Sequence, residues 1–105
     1  MACRHLTEQG FSIADRNWRT RSGELDIIAR KGGLTVFVEV KARRGRAFGE
    51  PEEAVTAAKT RRIRALASEY LASCGRSNEV RFDVISLILD SGGNLLELRH
   101  IPDAF

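Results

Sequence analysis

Two runs of strict alternation dominate the chain. From Leu34 to Lys41 every second residue, Leu34, Val36, Val38 and Val40, is aliphatic, and Glu24 to Arg30 is similarly rich in isoleucine and leucine. Such period-two patterns predict half-buried strands. Between them stand Lys31, Gly32 and Gly33, and a Gly-Gly pair between strand-like runs predicts a tight hairpin. Upstream, the spacing of Phe11, Ile13 and Trp18 is compatible with a further strand. Before it, Ala2 to Gln9 reads as the end of a helix closed by Gly10, its beginning expected to lie before residue 1.

Beyond Arg43 the segment "RGRAFGE" is loop-like and basic. Pro51 suits the first position of a helix whose opening turn carries Glu50, Glu52 and Glu53, and that helix is expected to run to about Cys74. Its apolar stripe is Val55, Ala58, Ile63, Leu66, Ala67, Tyr70, Leu71 and Cys74, the three-and-four spacing of a helix with one face on a sheet. Val80 to Leu89 and Asn94 to Ile101 form a last pair of strands around "DSGGN". Helix, three strands, helix and two strands predict an α/β sandwich with a mixed sheet, strands three and four running parallel through the helical crossover.

At 105 residues the chain is expected to be a single domain, 1–105. With 43% hydrophobic and 30% charged residues it reads as globular. No apolar run approaches the roughly 18 to 20 residues of a membrane span and no signal peptide is recognisable, so a cytoplasmic protein with no membrane partner is expected. Cys3 and Cys74 are expected to be reduced thiols, and His5 and His100 to be structural. The net charge of +3 tolerates a polyanion without requiring one. Its distribution is more informative: Lys41, Arg43, Arg44 and Arg46 fall within six residues, Lys59, Arg61, Arg62 and Arg64 within another six, and the C-terminal quarter is acidic. Arg43, Arg44, Arg46, Arg61, Arg62 and Arg64 are therefore the candidates for meeting a phosphate backbone, with solvated surface charge as the alternative for each. Trp18, Arg19 and Arg21 are weaker candidates for stacking on or neutralising a strand.

The hairpin gathers the candidate chemistry. With Gly32 and Gly33 as its loop, antiparallel pairing sets Lys31 opposite Leu34, Ile28 opposite Phe37, Asp26 opposite Glu39 and Glu24 opposite Lys41. The last six of these share one face. Two carboxylates about 5 Å apart at an effective dielectric near 20 repel by roughly 3 kcal/mol, so the pair needs a compensating cation or a shared proton. A hard ion such as Mg²⁺ or Mn²⁺ meets that need, held by Asp26, Glu39 and the Val40 carbonyl, with Lys41 orienting a bound water or stabilising developing charge and Glu24 in support. A solvated charge network is the competing reading, opposed by Phe37 and Ile28, which make that face partly apolar. Lys59 stands one turn from both Val55 and Ile63 in the middle of the apolar stripe. Such a lysine either snorkels past the sheet rim or aims at the carboxylates.

"GELDIIAR", "TVFVEVKAR", "FGEPEEAV", Lys59, "RFDVI" and the ending "HIPDAF" occur in the order found in the bacterial UPF0102 (YraN-type) family, which the chain resembles over nearly its whole length. That family is similar to the PD-(D/E)XK nucleases, including archaeal Holliday junction resolvases. The resemblance implies a restriction-endonuclease-like three-layer sandwich with an αβββαβ core, a mixed central sheet and here an extra C-terminal strand. It sets Asp26 at the motif aspartate, Glu39 and Lys41 at the "ExK" pair and Lys59 at the lysine of the following helix. Family members carry a glutamate on the first helix; here the matching position precedes Met1, and Glu8 does not stand in its place. The function implied is a Mg²⁺- or Mn²⁺-dependent endonuclease acting on DNA, including branched or flapped DNA, with a homodimer admitted. A catalytically silent nucleic-acid-binding module and a protein-interaction domain are the alternatives.

Overall fold

The computed structural model describes residues 1–44, 56–74 and 79–105. In chain order the elements are α1 (Ala2–Glu8), β1 (Ser12–Thr20), β2 (Gly23–Lys31), β3 (Leu34–Arg44), α2 (Ala57–Cys74), β4 (Glu79–Leu89) and β5 (Leu95–Ile101). The sequence pattern anticipates this order. The strands form one sheet in the order β1-β2-β3-β4-β5, in which β3 and β4 are parallel and the other neighbours antiparallel. A parallel pair needs a crossover, and α2 supplies it.

The hairpin turn forms at the expected place, with Lys31 paired to Leu34 and Ile28 to Phe37. Gly32 has a φ of +59°. A Cβ there would meet nothing within 4 Å, so it is the backbone conformation and not crowding that calls for glycine. Gly23 opens β2 at a φ of +147°, and a Cβ there would approach Leu66 Cδ1 to 3.3 Å, so α2 rests close on the β1–β2 turn.

Two helices cover the two faces. On one side Ala2 and Leu6 of α1 join Phe11, Ile27, Ala29, Val36, Val38, Ile85 and Leu87, with Leu34 and Val40 partly buried beside them. On the other side Ile63, Leu66, Ala67 and Tyr70 of α2 join Leu25, Ile28, Phe37 and Phe82. The alternation of β3 thus divides the layers as its sequence implies: the valines face α1 and Phe37 faces α2. The fold is an α/β three-layer sandwich. Within it an aromatic series runs from Trp18 through Tyr70 and Phe37 to Phe82, with centroid separations of 5.2, 5.9 and 5.6 Å. Edge-on and stacked contacts at these distances add to simple area burial.

The described part of α2 differs from its expected start. Pro51 and its neighbours lie outside the described residues, and Thr56 is not helical; its Oγ1 accepts the Lys59 N–H at 3.2 Å, as an N-cap does. The stripe is also narrower than expected, because Ala58 and Cys74 are exposed and Val55 lies outside the described residues. The Cys74 thiol instead receives Arg30 Nη2 at 3.0 Å. Cys3 and Cys74 are free cysteines. No helix among the described residues is long and apolar enough to cross a membrane.

A polar chain fastens α1 to the far edge of the sheet. Asp83 on β4 is fully buried and accepts Arg81 Nε and Nη2, both at 2.9 Å, and the Asp103 N–H at 3.0 Å. His100 Nε2 lies 2.7 Å from Asp83 Oδ2, and its Nδ1 lies 3.0 Å from His5 Nε2. A carboxylate can only accept, so His100 Nε2 carries a hydrogen, and the His5–His100 bond survives only while one of the two facing nitrogens is bare. Burial first, then the neighbouring His100, lower His5 below its ordinary 6.5, against an opposing pull from Glu8. A base with a lowered folded value contributes its full stability above the unfolded value and loses it as pH falls. The unfolding midpoint is therefore expected to fall as pH drops from about 7 through the lowered value, and His5→Gln is expected to remove that pH dependence in thermal melts.

Candidate active site

Alternation along β3 puts Glu39 and Lys41 on the face turned toward α2. Glu39 is only 8% exposed, and a carboxylate this buried needs partners. Among the described residues it has two: Lys59 Nζ at 2.9 Å and Lys41 Nζ at 3.7 Å, both to Oε1. Lys59 reaches it because the Thr56 cap fixes the first turn of α2 and aims the third residue of that turn at the sheet. The Lys59 ammonium ends on the carboxylate, with 32% of the side chain still open to solvent.

Asp26 arrives differently. The paired residues of β2 and β3 end at Ile27 and Val38, so the expected Asp26–Glu39 and Glu24–Lys41 ladder pairs do not form. Instead Asp26 Oδ2 accepts the Val40 N–H at 2.8 Å, the side chain taking the place of a strand carbonyl. Strict alternation in β2 also slips here: Leu25 and Ile28 belong to the α2 layer while Ile27 and Ala29 belong to the α1 layer. Across the ladder, between the Arg16–Ile27 and Trp18–Leu25 pairs, stands Asn17 with a φ of +51°. A left-handed residue in an otherwise extended strand turns the local pleat, which accounts for the slip. Asp26 consequently does not share one flat face with Glu39. It lines an open cleft of about 450 Å³ with Ala2, Cys3, Arg16, Asn17, Ile27 and Val40 among its walls.

The electrostatics of the two acids diverge accordingly. Burial, then the charges of Glu39 and Glu24, raise the Asp26 carboxyl above its ordinary value, only partly offset by the Val40 N–H and Lys59. Lys41 is lowered, by burial first and then by Lys59, despite Glu39 and Asp26. Burial works against the Lys59 charge too, but its contacts with Lys41 and Glu39 raise it overall. Glu39 thus has its compensating cations, whereas Asp26 has one backbone N–H and, among the described residues, no ion pair. Among the described residues Asp26 is the acid of the cluster with no cation in contact.

Residues 1–87 match the sequence model of the family described as Uncharacterised protein family UPF0102. The chain belongs to the UPF0102 family. It is 52% identical over 106 residues to a UPF0102 protein of Rhodococcus jostii, an alignment covering 100% of this chain and 89% of the relative. A Symbiobacterium thermophilum UPF0102 protein is 52% identical over 105 residues, 99% of this chain and 88% of the relative, and one from Dictyoglomus turgidum is 44% identical over 101 residues, 95% and 86%.

The remaining candidates in this UPF0102 chain are dispersed. Glu24 is held by Arg19 on β1, Nε to Oε2 at 2.6 Å, and acts on Asp26 only through its charge. Arg44 Nη1 donates to the Ser91 carbonyl at 3.0 Å, and Arg64 lies over the Phe82 ring at 4.7 Å, so both guanidiniums have structural partners. Arg61 and Arg62 are exposed on α2, Arg43 is half-buried at the end of β3, and Arg46 lies outside the described residues. Trp18 packs edge-on to Tyr70, which decides for its core role. The Tyr70 hydroxyl donates to Asp15 Oδ2 at 2.9 Å; burial and then that carboxylate push its pKa up to about 12, so it stays a donor.

Sequence reasoning passed over Asp83, although an aspartate inside the apolar run "FDVISL" signals a buried charge that must find partners. It also passed over Arg16 and Asn17, whose place beside Asp26 depends on the β1–β2 register.

A hard divalent ion suits this donor set. Such ions accept one or two carboxylates, a carbonyl and waters, and Asp26 is the acid left wanting positive charge. Among the described residues no three His, Cys, Asp or Glu side chains converge, so any ion here would keep several waters.

Proposed function

We propose that this UPF0102 chain is a metal-dependent endonuclease domain cleaving DNA phosphodiester bonds, with branched or flapped DNA as the substrate class. The observation that supports it most is the buried Glu39, whose one oxygen faces Lys59 at 2.9 Å and Lys41 at 3.7 Å beside an under-compensated Asp26. A buried ion cluster is a poor way to gain stability, since well-packed apolar side chains of similar volume do as well or better. Ionisable groups gathered around an acid that itself lines a cleft, as Asp26 does, instead fit a chemical task.

In this reading Asp26, Glu39 and the Val40 carbonyl hold Mg²⁺ or Mn²⁺. The ion, when bound, supplies Lewis acidity, acidifying a water and neutralising phosphate charge. Lys41 donates to the phosphate or to the attacking water. Lys59 fixes the Glu39 carboxylate in place, so Lys59→Met is expected to leave the fold intact and slow cleavage by about 10- to 100-fold. Unchanged cleavage rates would reduce that contact to a structural ion pair.

A catalytically silent nucleic-acid-binding module is the second reading, favoured by the absence of a third convergent acid among the described residues. A panel of single-stranded, duplex, flapped and four-way DNA, incubated with Mg²⁺ or Mn²⁺, separates the two. Cleavage of at least one member, abolished by EDTA, is expected; metal-independent binding with no cleavage of any member would leave the silent module.

A further inference from the structure

Arg16 is exposed on β1 and lines the cleft that holds Asp26. Its strand partner is Ile27, the residue next to Asp26, and Asn17 stands across the ladder from Asp26 itself. Three other arginines are already engaged: Arg19 by Glu24, Arg44 by the Ser91 carbonyl and Arg64 by the Phe82 ring. Among the described residues the Arg16 guanidinium has no hydrogen bond or ion pair, and it forms none with Asp26 although both line one cleft. An exposed guanidinium that lines a cleft without pairing to its carboxylate keeps its donors available to an anion entering the cleft. Its five donors in a planar fork match a phosphate.

We infer that Arg16, with the Asn17 carboxamide beside it, is a phosphate-binding subsite that grips the nucleic-acid strand next to the bond presented to Asp26. The inference rests on the nuclease reading for its substrate, but it concerns binding rather than chemistry. Arg16 sits outside the hydrophobic layers, so its replacement leaves the fold intact. Arg16 pairs with Ile27 of the α1 layer, which puts the arginine on the side of β1 that faces the cleft.

The test is equilibrium binding of a fluorescently labelled flapped duplex, read by anisotropy across a salt series. The parent is the full chain carrying Glu39→Gln, with Mg²⁺ present. One lost phosphate contact lowers the slope of log K against log salt by about 0.7 to 0.9, equivalent to about five- to eightfold weaker binding at 0.1 M salt. Adding Arg16→Ala is expected to give that change, and Arg16→Lys to restore the slope but not the full affinity. An unchanged slope and affinity in Arg16→Ala, or no binding by the parent, would overturn the subsite. Cleavage by the unsubstituted chain is scored separately. If it cleaves while Arg16→Ala binds as the parent does, the subsite falls and the nuclease reading stands; if it does not cleave while the Arg16 dependence appears, the reverse holds.

Discussion

Asp83→Ala is expected to lower the unfolding free energy by about 3 kcal/mol, because it removes the fully buried acceptor of a part-buried polar chain and leaves its donors behind. Arg81 would lose both of its bonds to the carboxylate, the Asp103 N–H its acceptor, and His100 the partner that orients it toward His5. Against a typical domain stability of about 5 to 15 kcal/mol this is a large share. Urea unfolding at pH 7 measures it, and a change below about 1 kcal/mol would show that the chain is dispensable. The pH dependence has a definite sign. Burial opposes ionisation of Asp83, but Arg81, the Asp103 N–H and His100 outweigh it and hold the carboxyl below its ordinary 3.8. A depressed acid contributes its stability fully above the unfolded value and loses it as pH falls through the folded one. Wild type should therefore lose this contribution below about pH 4, and Asp83→Ala should lack that part of the acid transition.

Glu39→Gln is expected to reduce DNA cleavage by at least about 100-fold while leaving a folded chain, since it keeps the side-chain shape and withdraws only the charge that a divalent ion needs. Glu39→Ala is the less informative variant. It would take away the oxygen acceptor and the side-chain volume as well as the charge that the half-buried Lys41 and Lys59 ammoniums face, and so cost more stability than Glu39→Gln. Initial rates at saturating Mn²⁺, with circular dichroism as the check on folding, make the comparison. Equal rates would remove Glu39 from the chemistry.

Much of this architecture is legible in local pattern. The aliphatic alternation of β3 divides the two hydrophobic layers, the Gly32–Gly33 turn sets the Ile28–Phe37 register, and the helix between β3 and β4 lets them run parallel. Glu39 and Lys41 follow from the same alternation. Asp26 follows only in part. Its neighbourhood with Glu39 comes from the hairpin, but the left-handed Asn17 on a different strand turns it out of the ladder and onto the Val40 N–H. Pairing rules within one hairpin carry no information about that strand. Lys59 is ambiguous along the helix for a similar reason, because the depth at which α2 sits on the sheet decides whether its ammonium meets solvent or Glu39. The Asp83–His100–His5 chain is the least legible, since its members stand 17 and 95 residues apart and meet only when α1 and β5 close on the same face.

Central to this account is that Asp26 and Glu39 act together as the holder of one divalent cation. Isothermal titration of Mn²⁺ into the intact chain tests this most directly. The expected result is one Mn²⁺ per chain for wild type and at least about tenfold weaker binding for Asp26→Asn and for Glu39→Gln. Wild type that binds no Mn²⁺, or binds it no better than Asp26→Asn, would contradict the account.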